Sequence, residues 1–293
     1  MGKSMFSVNL FVFSKVSGNG NPLSGRRRGF RMRGMNRFRH FCCSALALLT
    51  LAIAPAQAGD AEVLALMEQV RLSMPHVPLD MQAQIRVLNP NGKPTGTLKA
   101  HVVWTPRKTG RDVVYDLLGA DGEPAERMEV SLSDLGSAFS YQAGQPLAAA
   151  PLPDLFAPVG GSDINWMELS FSFFFWPGPR IVGEERVAGR WDCKIVEIPC
   201  PADLGGGWSH IRLWVVPAYS AVIRGEAWKD GRAIKRFDVD SIRRLRKVYM
   251  IGDMTVRDLD RGTRSLLKVG KMSMFAPDLT PEELEELNAP VVW

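Results

Sequence analysis

The chain has 293 residues and a formal net charge of +5, a balance that invites a nucleic-acid partner. Nine of its 36 Lys and Arg lie in residues 1–58, which hold no acid, so 27 bases face 31 acids in residues 59–293. That remainder is acidic by about −4, which removes the argument for nucleic acid.

The division at residue 58 rests on an export signal. Arg37 and Arg39 form a basic region, Ala45–Ile53 an apolar one, and Ala56-Gln57-Ala58 a small-residue cleavage site before Gly59. The apolar run is shorter than the ~20 residues that span a bilayer, so removal after Ala58 is expected rather than a stable membrane anchor. Met32 and Met35 are alternative starts. Residues 59–293 then form one domain in an oxidising, periplasmic compartment. Cys42 and Cys43 leave with the signal, and Cys193 and Cys200 remain. Lys194–Ile198 between them alternates like one strand. Seven residues of strand cover roughly 23 Å, against the ~7 Å within which Cα atoms must lie for a disulfide. A bridge would need a sharp bend near Pro199, and two buried thiols are the alternative.

In chain order, Val63, Leu66, Met67 and Val70 fall at helical spacing, with Asp60 as N-cap and Pro75 as the stop. Period-two alternation follows: Met81, Ala83, Ile85 and Val87, then Leu98, Ala100, Val102 and Trp104, then Val113, Tyr115 and Leu117, then Met128, Val130 and Leu132. Asn91-Gly92 and Asp121-Gly122 supply turns between them. Residues 143–158, rich in Ala, Pro and Gly, break this ladder. Gly160–Ser170 then reads as a short capped helix feeding the aromatic run Phe171–Trp176. Strand patterns resume at 180–187, 191–198, 210–216, 221–228, 233–242, 247–258 and 263–269. Thr280-Pro281-Glu282-Glu283-Leu284 is a capping box that predicts a terminal helix. About eleven antiparallel strands, an N-terminal helix and a mid-chain helical segment predict a mainly β chain curled into an incomplete barrel.

Reactive constellations are scarce. His76, His101 and His210 stand at no metal-ligand spacing, and no nucleophile elbow or phosphate-binding glycine loop occurs. Asp258 with Asp260, and Glu184 with Glu185, read as solvated hairpin acids. Arg243–Lys247 reads as a charged strand edge. No metal, cofactor or catalytic residue is expected. An apolar face with an aromatic flap, in an exported chain, fits either an ordinary core or a lipid pocket.

The second half resembles the exported outer-membrane lipoprotein-sorting proteins of the LolA-like superfamily. The resemblance is carried by Gly161-Ser162-Asp163-Ile164-Asn165-Trp166-Met167-Glu168-Leu169, by Phe175-Trp176-Pro177, and by Gly183–Cys193. Arg212-Leu213-Trp214-Val215, Gly231 with Lys235, and the hairpin Met254–Thr263 complete it. It implies an incomplete antiparallel barrel whose apolar concave face is lidded by helices and takes acyl chains of lipoproteins or other lipids. It further implies escort through the periplasm, with an inner-membrane transporter as donor. Met167 stands where the family tends to have an acid, so the flap is less acidic than usual. Under this resemblance the sheet positions expected to line the pocket are Met81, Ile85, Val102, Trp104, Met128, Val130, Leu213 and Val215, together with Phe173. Ile164, Trp166, Leu169, Phe171, Phe175 and Trp176 are the expected lid. The same fold also serves non-enzymatic sensors that partner a membrane regulator, which is the alternative function.

Overall fold

Strands that alternate apolar and polar residues must bury one face and wet the other, and the computed structural model joins them into one sheet. Residues 56–246 and 248–275 are described; the basic and apolar regions of the expected export signal and the helix expected at Thr280–Leu284 lie outside them, while Ala56–Ala58, the expected cleavage site, form the start of a helix. The first meander is β1 (Leu79–Leu88), β2 (Pro94–Arg107), β3 (Gly110–Leu118), β4 (Pro124–Ser133), β5 (Gly136–Ala143) and β6 (Ala148–Ala149). The second is β7 (Arg180–Val187), β8 (Trp191–Pro199), β9 (His210–Val216), β10 (Ala221–Lys229), β11 (Arg232–Leu245), β12 (Val248–Asp258) and β13 (Arg264–Met274).

The thirteen strands of the described residues belong to one antiparallel sheet, ordered β6-β5-β4-β3-β2-β1-β13-β12-β11-β10-β9-β8-β7. Within each meander sequence neighbours pair, and the two meanders join where β1 meets β13, with Leu79 opposite Met274 and Ile85 opposite Leu267. The sheet is not closed into a barrel: β6 and β7 are its two ends. Residues 150–179 connect those ends. The count exceeds the expected eleven by β5 and β6. β5 carries the alternating Phe139 and Tyr141, only half-buried, and β6 is a two-residue pairing inside the stretch expected to break the ladder.

A helix, α1 (Ala56–Leu72), packs Val63, Met67 and Val70 into the core, each worth roughly 1.5–3 kcal/mol when buried. It starts at Ala56, so Asp60 sits inside it rather than capping it. Ala is the best helix former and extends the run backwards. Lys194 of β8 pairs with Glu62 across to this helix.

Cys193 and Cys200 are both free thiols. Seven positions along an extended strand reverse the facing of the side chain. Cys193 accordingly joins a small outer cluster with Trp214 and Val216, while Cys200 packs against the main core. Burial raises the pKa of both thiols.

Gly225 and Gly160 are among the glycines that their surroundings require. A Cβ on Gly225 would lie 2.2 Å from the Phe237 ring, so the ring covers bare backbone. Gly160 has φ 53° and a virtual Cβ only 2.7 Å from Leu98 Cδ1. Gly160→Ala is therefore expected to cost about 1–3 kcal/mol, combining left-handed strain with a clash. Urea denaturation measures it, and an unchanged midpoint would mean that the loop rebuilds freely.

Candidate functional site

The segment joining the two ends of the sheet supplies most of the core's aromatic mass. It begins at Val159–Gly161, a tight turn in which Val159 N donates to Ile164 O at 2.8 Å. A second helix, α2 (Trp166–Ser170), follows, and then a 3-10 turn over Ser172–Phe175. α2 is only five residues long, too short to persist without tertiary support. Its start is fixed by a reciprocal cap: Asn165 Oδ1 accepts from Glu168 N at 2.9 Å, and Glu168 Oε2 accepts from Asn165 N at 2.9 Å.

Two buried carboxylates bind this part of the segment to the sheet. Lys235 Nζ of β11 donates to Glu168 Oε2 at 2.8 Å, with both side chains almost wholly inside. Burial raises the Glu168 pKa, and the Lys235 charge and hydrogen bond work against that rise. Asp163 is held from the β12–β13 hairpin: Ser265 Oγ donates at 2.8 Å, Arg261 Nη2 at 3.0 Å, and Thr263 Oγ1 also donates. Asp163 N in turn donates to Ser265 Oγ at 2.8 Å. Tyr115 OH donates to Leu169 O at 2.8 Å, and burial raises the tyrosine pKa.

The rest of the segment is held differently. Phe171 takes a left-handed conformation (φ 52°) at the end of α2, a costly choice for a bulky residue. Beyond it the contacts are mostly ring against ring. Phe173, fully buried, lies 5.0 Å from Phe174, 6.0 Å from Phe237 and 6.5 Å from Trp208 between centroids. Phe171 stacks on Phe174 at 5.6 Å, and Trp176 meets Trp208 at 6.2 Å. A polar tie runs from Arg71 Nη1 to Phe174 O, at 3.2 Å.

Met81, Ile85, Trp104, Met128, Val130, Leu213 and Val215 all lie in one buried cluster with Ile164, Trp166, Leu169, Phe173, Phe175 and Trp176. Val102 and Phe171 pack against that cluster half-buried. Trp104 sits at its rim, where its indole N–H donates to Pro75 O at 3.0 Å. Sequence patterning put Tyr115 on the alternating face of its strand, and the resemblance included Lys235 and the hairpin Met254–Thr263, but neither assigned a role to Trp208 or Phe237 or a stapling role to Lys235, Arg261, Thr263 and Ser265. Inward parity could have placed Phe237. The staples join residues 67 or more positions apart, which no local pattern records.

The hairpin acids are engaged in ordinary surface pairs. Asp258 accepts from Arg261 and Asp260 pairs with Arg232, which lowers the Asp260 pKa. Among the described residues, no group of three or more His, Cys, Asp or Glu is placed to hold a metal ion.

Solved structures repeat this architecture. A DUF1329 family protein from Desulfovibrio piger superposes with a TM-score of 0.62 at 15% identity, covering 79% of this chain and 97% of that one. A putative outer membrane lipoprotein-sorting protein domain from Vibrio parahaemolyticus gives 0.63 at 13% identity, covering 80% and 100%. A LolA superfamily protein from Nitrosomonas europaea gives 0.56 at 14% identity, covering 75% and 96%. The fold is LolA-like. No family model matches the sequence, and no curated protein matches it. Within the connecting segment, the residues around Asp163 and Glu168 are stapled to the sheet, whereas Phe171–Trp176 are packed mainly ring against ring.

Proposed function

We propose that this LolA-like chain is an exported, non-enzymatic carrier. It takes acyl chains of lipoproteins or other lipids on its concave apolar face and escorts them through the periplasm towards the outer membrane, loaded by an inner-membrane transporter. The observation that carries this reading is the contrast between the two halves of the lid. Ser162–Leu169 is tied by buried charges, whereas Phe171–Trp176 rests chiefly on aromatic contacts that an alkyl chain can replace. The strained Phe171 separates the halves.

The energetics suit a carrier. A buried acyl chain gains about 0.8 kcal/mol per CH₂, on the order of 10 kcal/mol gross for a long chain. The rings already cover the same face, so a chain gains only the difference between its contacts and theirs. Competition of this kind lowers net affinity and permits release. Met81, Ile85, Val102, Met128, Val130, Leu213 and Val215 form the acyl surface in this reading, Trp104 its rim, and Phe173 the ring whose place the chain takes.

Native mass spectrometry of the protein purified from a membrane-containing lysate tests the proposal. Adducts of lipid mass, and uptake of a fluorescent fatty acid, are the expected results. Absence of both would overturn it.

A further inference from the structure

A charge stands on the apolar face at one end of the lid. Along β3 the inward positions are Val113, Tyr115 and Leu117, and Arg111 occupies the next position in the same parity. Its guanidinium lies 5.5 Å from the Trp104 ring and 5.5 Å from the Phe175 ring, and donates to Arg71 O at 3.3 and 3.4 Å. Arg71, at the end of α1, flanks the same Phe175 ring at 5.9 Å.

Arg71, Arg111 and Phe175 border a cavity of about 250 Å³ between α1, the β2–β3 turn and Phe175. A water occupies ≈ 30 Å³ of liquid, so the space suits a small polar group rather than a whole lipid. Lys108, Arg107 and His76 line it too, against Glu68 and Asp134. Arg107 is paired with Asp112. Asp134 stands 3.5 Å from Arg71 Nε with its side chain 87% exposed, which makes it a weak counter-ion. Among the described residues Arg111 has no carboxylate as a hydrogen-bond partner, and burial lowers its pKa, opposed by Asp134 and aided by Arg71.

We propose that Arg71 and Arg111, flanking Phe175, bind an anionic oxygen group, a carboxylate or a phosphate, at the head of the alkyl chain that enters the lid. The inference rests on the carrier reading above. Two guanidinium forks facing one space match the planar, bidentate recognition that such groups favour. The site also couples to the lid. An anion that draws Arg71 to itself takes the donor from Phe174 O, so head-group binding loosens the polar tie on the ring-packed half.

The test compares binding of dodecanoate, dodecyl phosphate and neutral dodecanol to the full protein and to its Arg111→Gln, Arg111→Lys and Lys108→Gln variants. Circular dichroism checks that each variant is folded. Arg111→Gln is expected to weaken both anions by roughly ten-fold or more and leave dodecanol unchanged. Arg111→Lys is expected to recover part of the loss. The exposed Lys108 provides the arm least exposed to misfolding: its replacement should weaken the anions slightly and make their binding less salt-sensitive. Inorganic phosphate as competitor separates the sources of the group. Displacement of dodecyl phosphate means that the free oxyanion suffices, and no displacement means that the chain must carry it. Equal losses for anions and dodecanol, or no loss for either, would overturn the head-group site while leaving the carrier intact. Arginine-dependent phosphate binding with no uptake of any amphiphile would support the site and defeat the carrier.

Discussion

Replacing Phe173 by Ala is expected to lower the stability of the lipid-free protein by about 3–5 kcal/mol and at the same time to tighten acyl-chain binding. The first effect follows from burial. Phe173 is fully enclosed and its ring meets those of Phe171, Phe174, Trp176, Trp208 and Phe237, so truncation leaves a cavity among rigid rings. The second follows from the proposal that the ring-packed half yields to the acyl chain. A chain that displaces the ring must first overcome its contacts, and a variant lacking them starts closer to the open state. A loss of about 3 kcal/mol from the closed state allows up to a ~100-fold gain in affinity. Saturating fatty acid should then restore much of the lost stability, since a ligand that binds only the folded chain adds to it. Urea unfolding with and without ligand, beside a fluorescent fatty-acid titration, reads both signs. If stability and uptake fall together, Phe173 is core and the ring-packed half does not yield.

Much of this architecture is legible in the sequence because period two is a strong constraint. Met81, Ile85, Val102 and Trp104 alternate with Gln82, Gln84, Arg86, His101 and Val103, and β1 and β2 pair so that Met81 faces Val102 and Ile85 faces Leu98. Once one such set is buried, pairing brings its counterparts on β4 and β9 to the same side. The odd separation of Cys193 and Cys200 likewise puts the thiols on opposite faces of the sheet. The join between β1 and β13 is less legible, because no turn connects strands so far apart in the chain. The site is legible in composition but not in mechanics. Four Phe and two Trp over 166–176 announce a segment needing cover, yet nothing in that run shows that its first half is stapled and its second half is not. The distinction comes from Lys235, Ser265, Thr263 and Arg261, residues ordinary in their own strands and turn. Arg111 is the instructive case. Its parity marks it as inward, but a charge on an apolar stripe reads as the end of the stripe until the Trp104 and Phe175 rings are seen around it.

Lys235→Met is expected to destabilise the protein by about 3–5 kcal/mol at neutral pH, because it leaves the Glu168 carboxylate buried without its cation. The pH dependence identifies the cause. Burial already holds the Glu168 pKa above its ordinary value, and Lys235 is the strongest influence pulling it down. Without Lys235 the folded-state pKa rises further, so between the unfolded and folded values the folded chain binds more protons than the unfolded one. Stability then falls as pH rises through that window. The deficit of the variant should therefore be largest above the folded pKa and shrink on acidification towards the ordinary glutamate range. A deficit constant across that range would point to lost packing instead. Adding Glu168→Gln should recover most of the loss, because the amide oxygen can still accept from Asn165 N and no unpaired charge remains at that position. The double variant also separates two ways of opening. If only Phe171–Trp176 yields, fatty-acid uptake proceeds at the rate of the unaltered protein, since the staple lies in the half that stays put. Faster uptake would mean that Ser162–Leu169 swings with the rings, and that the Glu168–Lys235 pair is the latch that an entering lipid must break.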